Sequence, residues 1–129
     1  MSDFDLRFLA GGECLIIVVM ITALWLPSSL VAKRSLKANI WAGIRLPSTM
    51  RGQAAWEAAH KAALSYCRPT GAALLVIAVG VMALIVRWPL GTLIGEAVLL
   101  IVTIVWFILA IRAAIAAAKL APDEVTGRS

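Results

Sequence analysis

"CLIIVVMITALWLPSSLVA", residues 14–32, runs for 19 residues without a charge. A helix needs about 20 mostly apolar residues to cross the hydrocarbon of a bilayer, so this stretch predicts a spanning helix. Two further runs repeat the pattern. Thr70 to Val86 is 17 residues without a charge, and Ala97 to Ile111 is 15. The third reaches spanning length when Gly91 to Gly95 and Glu96 are added in front of it. Composition agrees: 62% of the chain is hydrophobic and 15% charged, against roughly 45–50% and about 25% in soluble domains. The expectation is one all-α membrane domain over residues 1–129. Its three transmembrane helices lie near 12–32, 70–88 and 92–112, with an insert at 33–69 and a tail at 119–129.

A cleaved leader is not expected at the first run. The preceding "MSDFDLRF" carries Asp3 and Asp5 where such a leader is basic, and Leu30 breaks the small-residue cleavage pattern before Lys33. Cys14 follows Glu13 rather than a small residue, so it reads as a small apolar residue at a helix start and not as a lipid attachment site.

Charge sets the expected orientation. Lys33, Arg34, Lys37, Arg45, Arg51, Lys61 and Arg68 put seven of the 12 basic residues between the first two spans, against the single acid Glu57. By the positive-inside rule this insert lies in the cytoplasm. The N-terminus and the Arg87 to Gly91 turn then lie outside, and the C-terminus inside. Arg112 and Arg87 fall where their long stems reach headgroups. Glu13, Arg87 and Glu96 all fall near the outer face. Acids in spans are candidates for a ligand or proton site, although each of these also sits close enough to a span end to reach interfacial water. Cys14 and Cys67 fall on opposite sides of the bilayer, so they are not expected to pair.

Within the spans, Pro27 removes a backbone donor and predicts a kink, with Ser28 and Ser29 able to bond the freed carbonyls. The second span is rich in small residues (Gly71, Ala72, Ala73, Ala78, Gly80, Ala83), which suits a central helix or an oligomer contact. The third ends in "RAAIAAAK", where Ala113 and Ala117 offer a small face to a neighbour. "RWPLG" reads as a tight turn with Trp88 at interface depth.

The insert divides in two. "QAAWEAAHKAALSYC", from Gln53 to Cys67, is alanine-dense and helical by propensity, with Gly52 as N-cap, Glu57 and Lys61 paired one turn apart, and Pro69 as its stop. Ala55, Ala58, Ala59, Ala62, Ala63 and Tyr66 form a smooth face beside a stripe of Trp56, His60 and Leu64. Such an amphipathic cytoplasmic helix lies along the membrane or packs under the bundle. The preceding "KANIWAGIRLPST" has no clean period. Gly43 permits a turn that other residues resist, Pro47 holds Leu46 extended, and Ser48 and Thr49 can bond nearby backbone. These features predict an ordered loop.

The pattern N-x-x-x-G-I-R-x-P-x-T followed by W-x-x-x-H resembles the signature of the SdpI family, small bacterial membrane proteins named for an immunity protein that protects its producer from a secreted toxic peptide. Asn39, Gly43, Ile44, Arg45, Pro47, Thr49, Trp56 and His60 stand where that pattern expects them, and the likeness runs over the first span, the insert and the second span. Ala38, Leu46 and Gly52 depart from a frequent proline, threonine and serine. The resemblance implies a membrane location and a role in immunity or signalling against a membrane-active peptide.

Catalysis is not expected. The insert holds one His, one Glu and several hydroxyls, which make no nucleophile–base constellation, and no Cys/His spacing suits a metal. Neither a catalytic residue, a metal nor a cofactor is therefore assigned. The basic residues are accounted for by topology and anionic lipid, leaving no case for nucleic acid. The expected partners are the bilayer and a protein that docks on the insert, in a homo- or hetero-oligomer; an accessory subunit of a larger membrane complex is the alternative role. Arg45, with its five-donor fork, suits recognition of a carboxylate or phosphate, or more simply clamping of the loop. Trp41 and Trp56 read as anchors at headgroup depth, and Asn39 as a turn or cap residue.

Overall fold

The computed structural model describes residues 1–33 and 43–123, and all regular structure among them is helical. Helix α1 spans Asp3–Ala32. A short 3-10 turn, Thr49–Arg51, leads into α2, Gln53–Tyr66, which continues through a π-helical segment, Cys67–Gly71, into α3, Ala72–Met82. Helix α4 runs Pro89–Leu120. Three continuous helices are therefore long and apolar enough to cross a membrane: Asp3–Ala32, Gln53–Met82 and Pro89–Leu120. The chain is a multi-pass membrane protein with the three spans expected of it. One end of the bundle carries the insert; the other, the far end, carries the N-terminus and the turn between α3 and α4.

Helix α1 begins well before its charge-free run. The Ser2 hydroxyl accepts from the Asp5 amide at 3.2 Å while the Asp5 carboxylate accepts from the Ser2 amide at 2.8 Å. This reciprocal cap satisfies two otherwise orphaned donors and contributes about 1 kcal/mol. The acidic leader is thus the first turn of the helix. Pro27 lies inside α1, which continues past it. Ser28 is buried and its hydroxyl has no partner, so it does not make the backbone repair expected at the proline.

Pro69 does not stop the insert helix. Proline lacks an N–H and crowds the carbonyl of the preceding turn, which ordinarily ends a helix. Here the backbone widens into the π segment, and the Thr70 hydroxyl donates to the Tyr66 carbonyl at 2.5 Å. The same hydroxyl accepts from Trp106 Nε1 at 2.6 Å, tying this segment to α4. Helix α2 is consequently the first half of the second membrane helix and packs against α1 and α4.

That packing rests on alanine. Ala55, Ala59 and Ala63 recur every fourth residue on α2, and Ala110, Ala114 and Ala118 do so on α4; all six are buried. Small rows let backbones approach closely, which is the main source of helix association where lipid removes the hydrophobic drive. The buried row on α4 is offset from the expected Ala113 and Ala117, which are only half-buried. In the π segment, Gly71 meets Trp106 at a distance of 3.2 Å from where a Cβ would lie, whereas Gly80 on α3 faces open space. No more than 28% of any spanning window is buried within the chain, so Leu15, Ile16, Val76 and Ile101 are left to face lipid or another protein. Pro89 occupies the first turn of α4, where its missing N–H costs nothing, and Trp88 before it is 71% exposed.

Candidate functional site

The polar groups at the insert end form a knot between the loop at 43–52 and α2. The Ile44 amide donates to His60 Nε2 at 3.0 Å, and His60 Nδ1 lies 2.8 Å from the Trp56 carbonyl. Because Nε2 accepts, the proton resides on Nδ1 and is donated to that carbonyl, which fixes a neutral imidazole.

Thr49 closes the loop on itself. Its hydroxyl accepts from the Leu46 amide at 2.9 Å and lies 2.6 Å from the Ile44 carbonyl and 2.9 Å from that of Leu46. A hydroxyl has one proton to give, and the shorter contact marks Ile44 as its acceptor. The Leu46 carbonyl is also served by the Thr49 and Met50 amides at 2.9 and 3.0 Å. Both Thr49 and His60 are fully buried.

Gly43 is the piece that only glycine can supply. Its φ is +94°, and an added Cβ would stand 2.6 Å from His60 Nε2 and 2.7 Å from the Trp56 ring. The loop therefore lies directly on a platform of two rings whose centroids are 4.2 Å apart. Trp56 is the floor of this platform. It is fully buried, and its Nε1 has no partner among the described residues, so it is not the headgroup anchor expected from its residue type.

Gly43, Ile44, Thr49, Trp56 and His60 of the motif are thus brought together, while Arg45 and Pro47 lie on the exposed side of the loop. Asn39 and Trp41 fall outside the described residues. Glu57 accepts from Gln53 at 3.0 Å in place of the expected Lys61 pairing. Gly52 caps α2 with extended backbone, as its position predicts.

Arg51 was not singled out by its sequence context, yet it joins the loop to the end of α4. Its guanidinium donates to the Ala118 and Ala121 carbonyls at 2.6 and 3.2 Å and pairs with Asp123 at 2.6 Å. A cation there complements the carbonyl end of the helix, where the Ala118 carbonyl also accepts from the Ala121 amide at 3.3 Å. Nothing local in the sequence announces a contact between residues so far apart.

Of Glu13, Arg87 and Glu96, the two acids lie within electrostatic reach of each other, whereas Arg87 is exposed in the turn after α3. Glu96 is fully buried and does not reach interfacial water. Both cysteines are free, and no group of three metal-ligating side chains occurs among the described residues.

Comparison with curated proteins gives no match. Comparison with solved structures gives none either. A family model does match, over residues 35–118, which takes in the insert and continues through α4 rather than back into α1. Since that stretch is more than half of the chain and contains the whole Gly43 to His60 knot, the protein belongs to the SdpI/YfhL protein family.

Proposed function

We propose that this SdpI/YfhL-family membrane protein acts as a non-catalytic docking protein, in immunity or signalling against a membrane-active peptide, and that a protein partner binds the exposed side of the 43–52 loop. The observation that supports this reading is that Gly43, Ile44, Thr49, Trp56 and His60 brace a turn whose exposed side carries Arg45 and Pro47. A rigid turn loses little conformational freedom when a partner binds, which favours recognition. The proposed orientation puts this loop in the cytoplasm of a bacterial inner membrane, because seven basic residues surround it.

The test is protection of cells from secreted membrane-active peptides, compared between the intact protein and Arg45→Ala, with accumulation and melting temperature measured alongside. The expected outcome is a loss of protection greater than any fall in accumulation or melting temperature accounts for. Retained protection at normal protein level would remove Arg45 from the working surface. If deletion of the gene has no effect on peptide sensitivity while defined membrane complexes lose integrity, the accessory-subunit role replaces this one. Orientation is read separately: an impermeant thiol reagent on intact cells should label a cysteine introduced at Ser2 and spare one introduced at Ser65.

A further inference from the structure

The far end of the bundle contains buried polar groups that the braced loop does not use. Glu96 on α4 is fully buried, and neither of its carboxyl oxygens has a hydrogen-bond partner. Thr92, one turn earlier on the same face, is 2% exposed, and its hydroxyl is likewise without a partner. From α1, Glu13 is half-buried with an enclosed, unpartnered Oε2, and it lies within electrostatic reach of Glu96, as does the Cys14 thiol. Helical side chains lean toward their own N-terminus, so Glu96 reaches back over the turn that carries Thr92. Two carboxyl groups, one from each of two helices, and a hydroxyl one turn along α4 are thus enclosed at this end without hydrogen-bond partners.

No cation answers them among the described residues. Helix α3 carries no titratable side chain. Arg87 and Arg7 are exposed. The buried titratable groups of the Gln53–Met82 helix, His60 and Cys67, pack toward the other end of α4. Arg112 lies more than four turns farther along α4, about 24 Å away at 1.5 Å per residue. An ion held in such surroundings loses several kcal/mol of hydration, and two adjacent anions repel one another besides. A protonated carboxyl escapes both penalties and gains an O–H donor, for which the second carboxyl is the acceptor.

We propose that Glu96 and Glu13 form a proton-binding site inside the membrane domain, in which Glu96 is carried as the uncharged acid and Glu13 accepts its hydrogen bond. Loading takes one proton from water and joins α1 to α4 through the two carboxyl groups. Unloading returns it to water and leaves two like charges between the helices. This site is separate from the loop and independent of the docking role proposed for it.

The experiment is infrared spectroscopy of the full chain in lipid bilayers, following the C=O stretch of a protonated carboxylic acid from about pH 5 to about pH 9, a range well above the ordinary titration of Asp and Glu. The expected result is an acid band at neutral pH that disappears as the pH is raised and is missing in Glu96→Gln. In Glu13→Gln the band should disappear at lower pH, because the neighbouring charge is gone. Absence of the band at neutral pH in the wild type, or its survival in Glu96→Gln, would overturn the proposal. So would loss of the band when sodium replaces a bulky organic cation at fixed pH, since the pair would then be a metal-cation site. Should Glu96→Gln fail to fold, the wild type is treated with a hydrophobic carbodiimide, which reacts with protonated carboxyls, and mapped by mass spectrometry. An adduct on Glu96 that diminishes with rising pH supports the site, and an unmodified Glu96 overturns it.

Discussion

At the insert end, His60 and Thr49 are fully buried and bonded through every side-chain polar atom; at the far end, Glu96 and Thr92 are as deeply buried and bonded through none. Burial alone therefore does not separate the two. What differs is whether the surrounding backbone was shaped to meet the side chain. The loop offers an amide and a carbonyl at the right places, whereas the far end offers only the walls of two regular helices whose backbone groups already bond each other. A carboxyl group enclosed by regular helix meets no free backbone donor and must look to another side chain, a proton or lipid. In the first case polarity holds the fold together, and in the second it is retained at the fold's expense.

The most damaging change expected is Gly43→Ala. It would force a left-handed residue to carry a Cβ into His60 and Trp56, with backbone strain and overpacking together costing about 3 kcal/mol or more. Melting temperature should fall, and amide exchange should accelerate from residue 44 into α2. Unchanged exchange would mean that the loop does not rest on the rings.

The contrast between the ends is tested most directly by a pair of variants. His60→Phe keeps an aromatic ring but leaves the Ile44 amide without its acceptor, a loss of about 1–3 kcal/mol. Glu96→Leu exchanges one buried acid, with its proposed bond to Glu13, for apolar packing and should therefore cost less than His60→Phe. If Glu96→Leu proves the more damaging of the two, the far end is as much a structural knot as the loop, and the comparison fails.

Acidification should separate the ends in another way. Protonation at Nε2 would take away the acceptor that His60 offers the Ile44 amide. Exchange protection of that amide should therefore decline on acidification in the wild type, with no corresponding step in His60→Phe. The smallest expected effect is that of Arg51→Lys. An ammonium cannot span two carbonyls and a carboxylate, but the pair is partly solvated, so the loss should be about 0.5 kcal/mol and confined to exchange at the end of α4.

How much of this was legible in the sequence depended on how far apart the interacting residues lie. The spans were, because an uncharged run is a local property, and so was the membership of Gly43, Thr49, Trp56 and His60 in one motif. Their roles were less so: the bond from Ile44 to His60 crosses 16 residues and reverses the expectation that Trp56 faces the headgroups. Pro69 was misjudged because proline stops a helix only when the carbonyl behind it cannot move aside, and Thr70 with the π turn lets it do so. Arg51 had no local signature at all. The Ser2–Asp5 cap did have one, a serine three residues before an acid, hidden inside a stretch weighed only for its charge.

Continuity through Pro69 has a mechanical consequence. Loop and second span are joined by one helix of 30 residues, about 45 Å long, with no slack between them. A load applied at Gly43 and His60 is therefore not absorbed by a tether but delivered along a stiff shaft into the bilayer. The π turn, pinned to Trp106 through Thr70, is the bearing on which that shaft would twist.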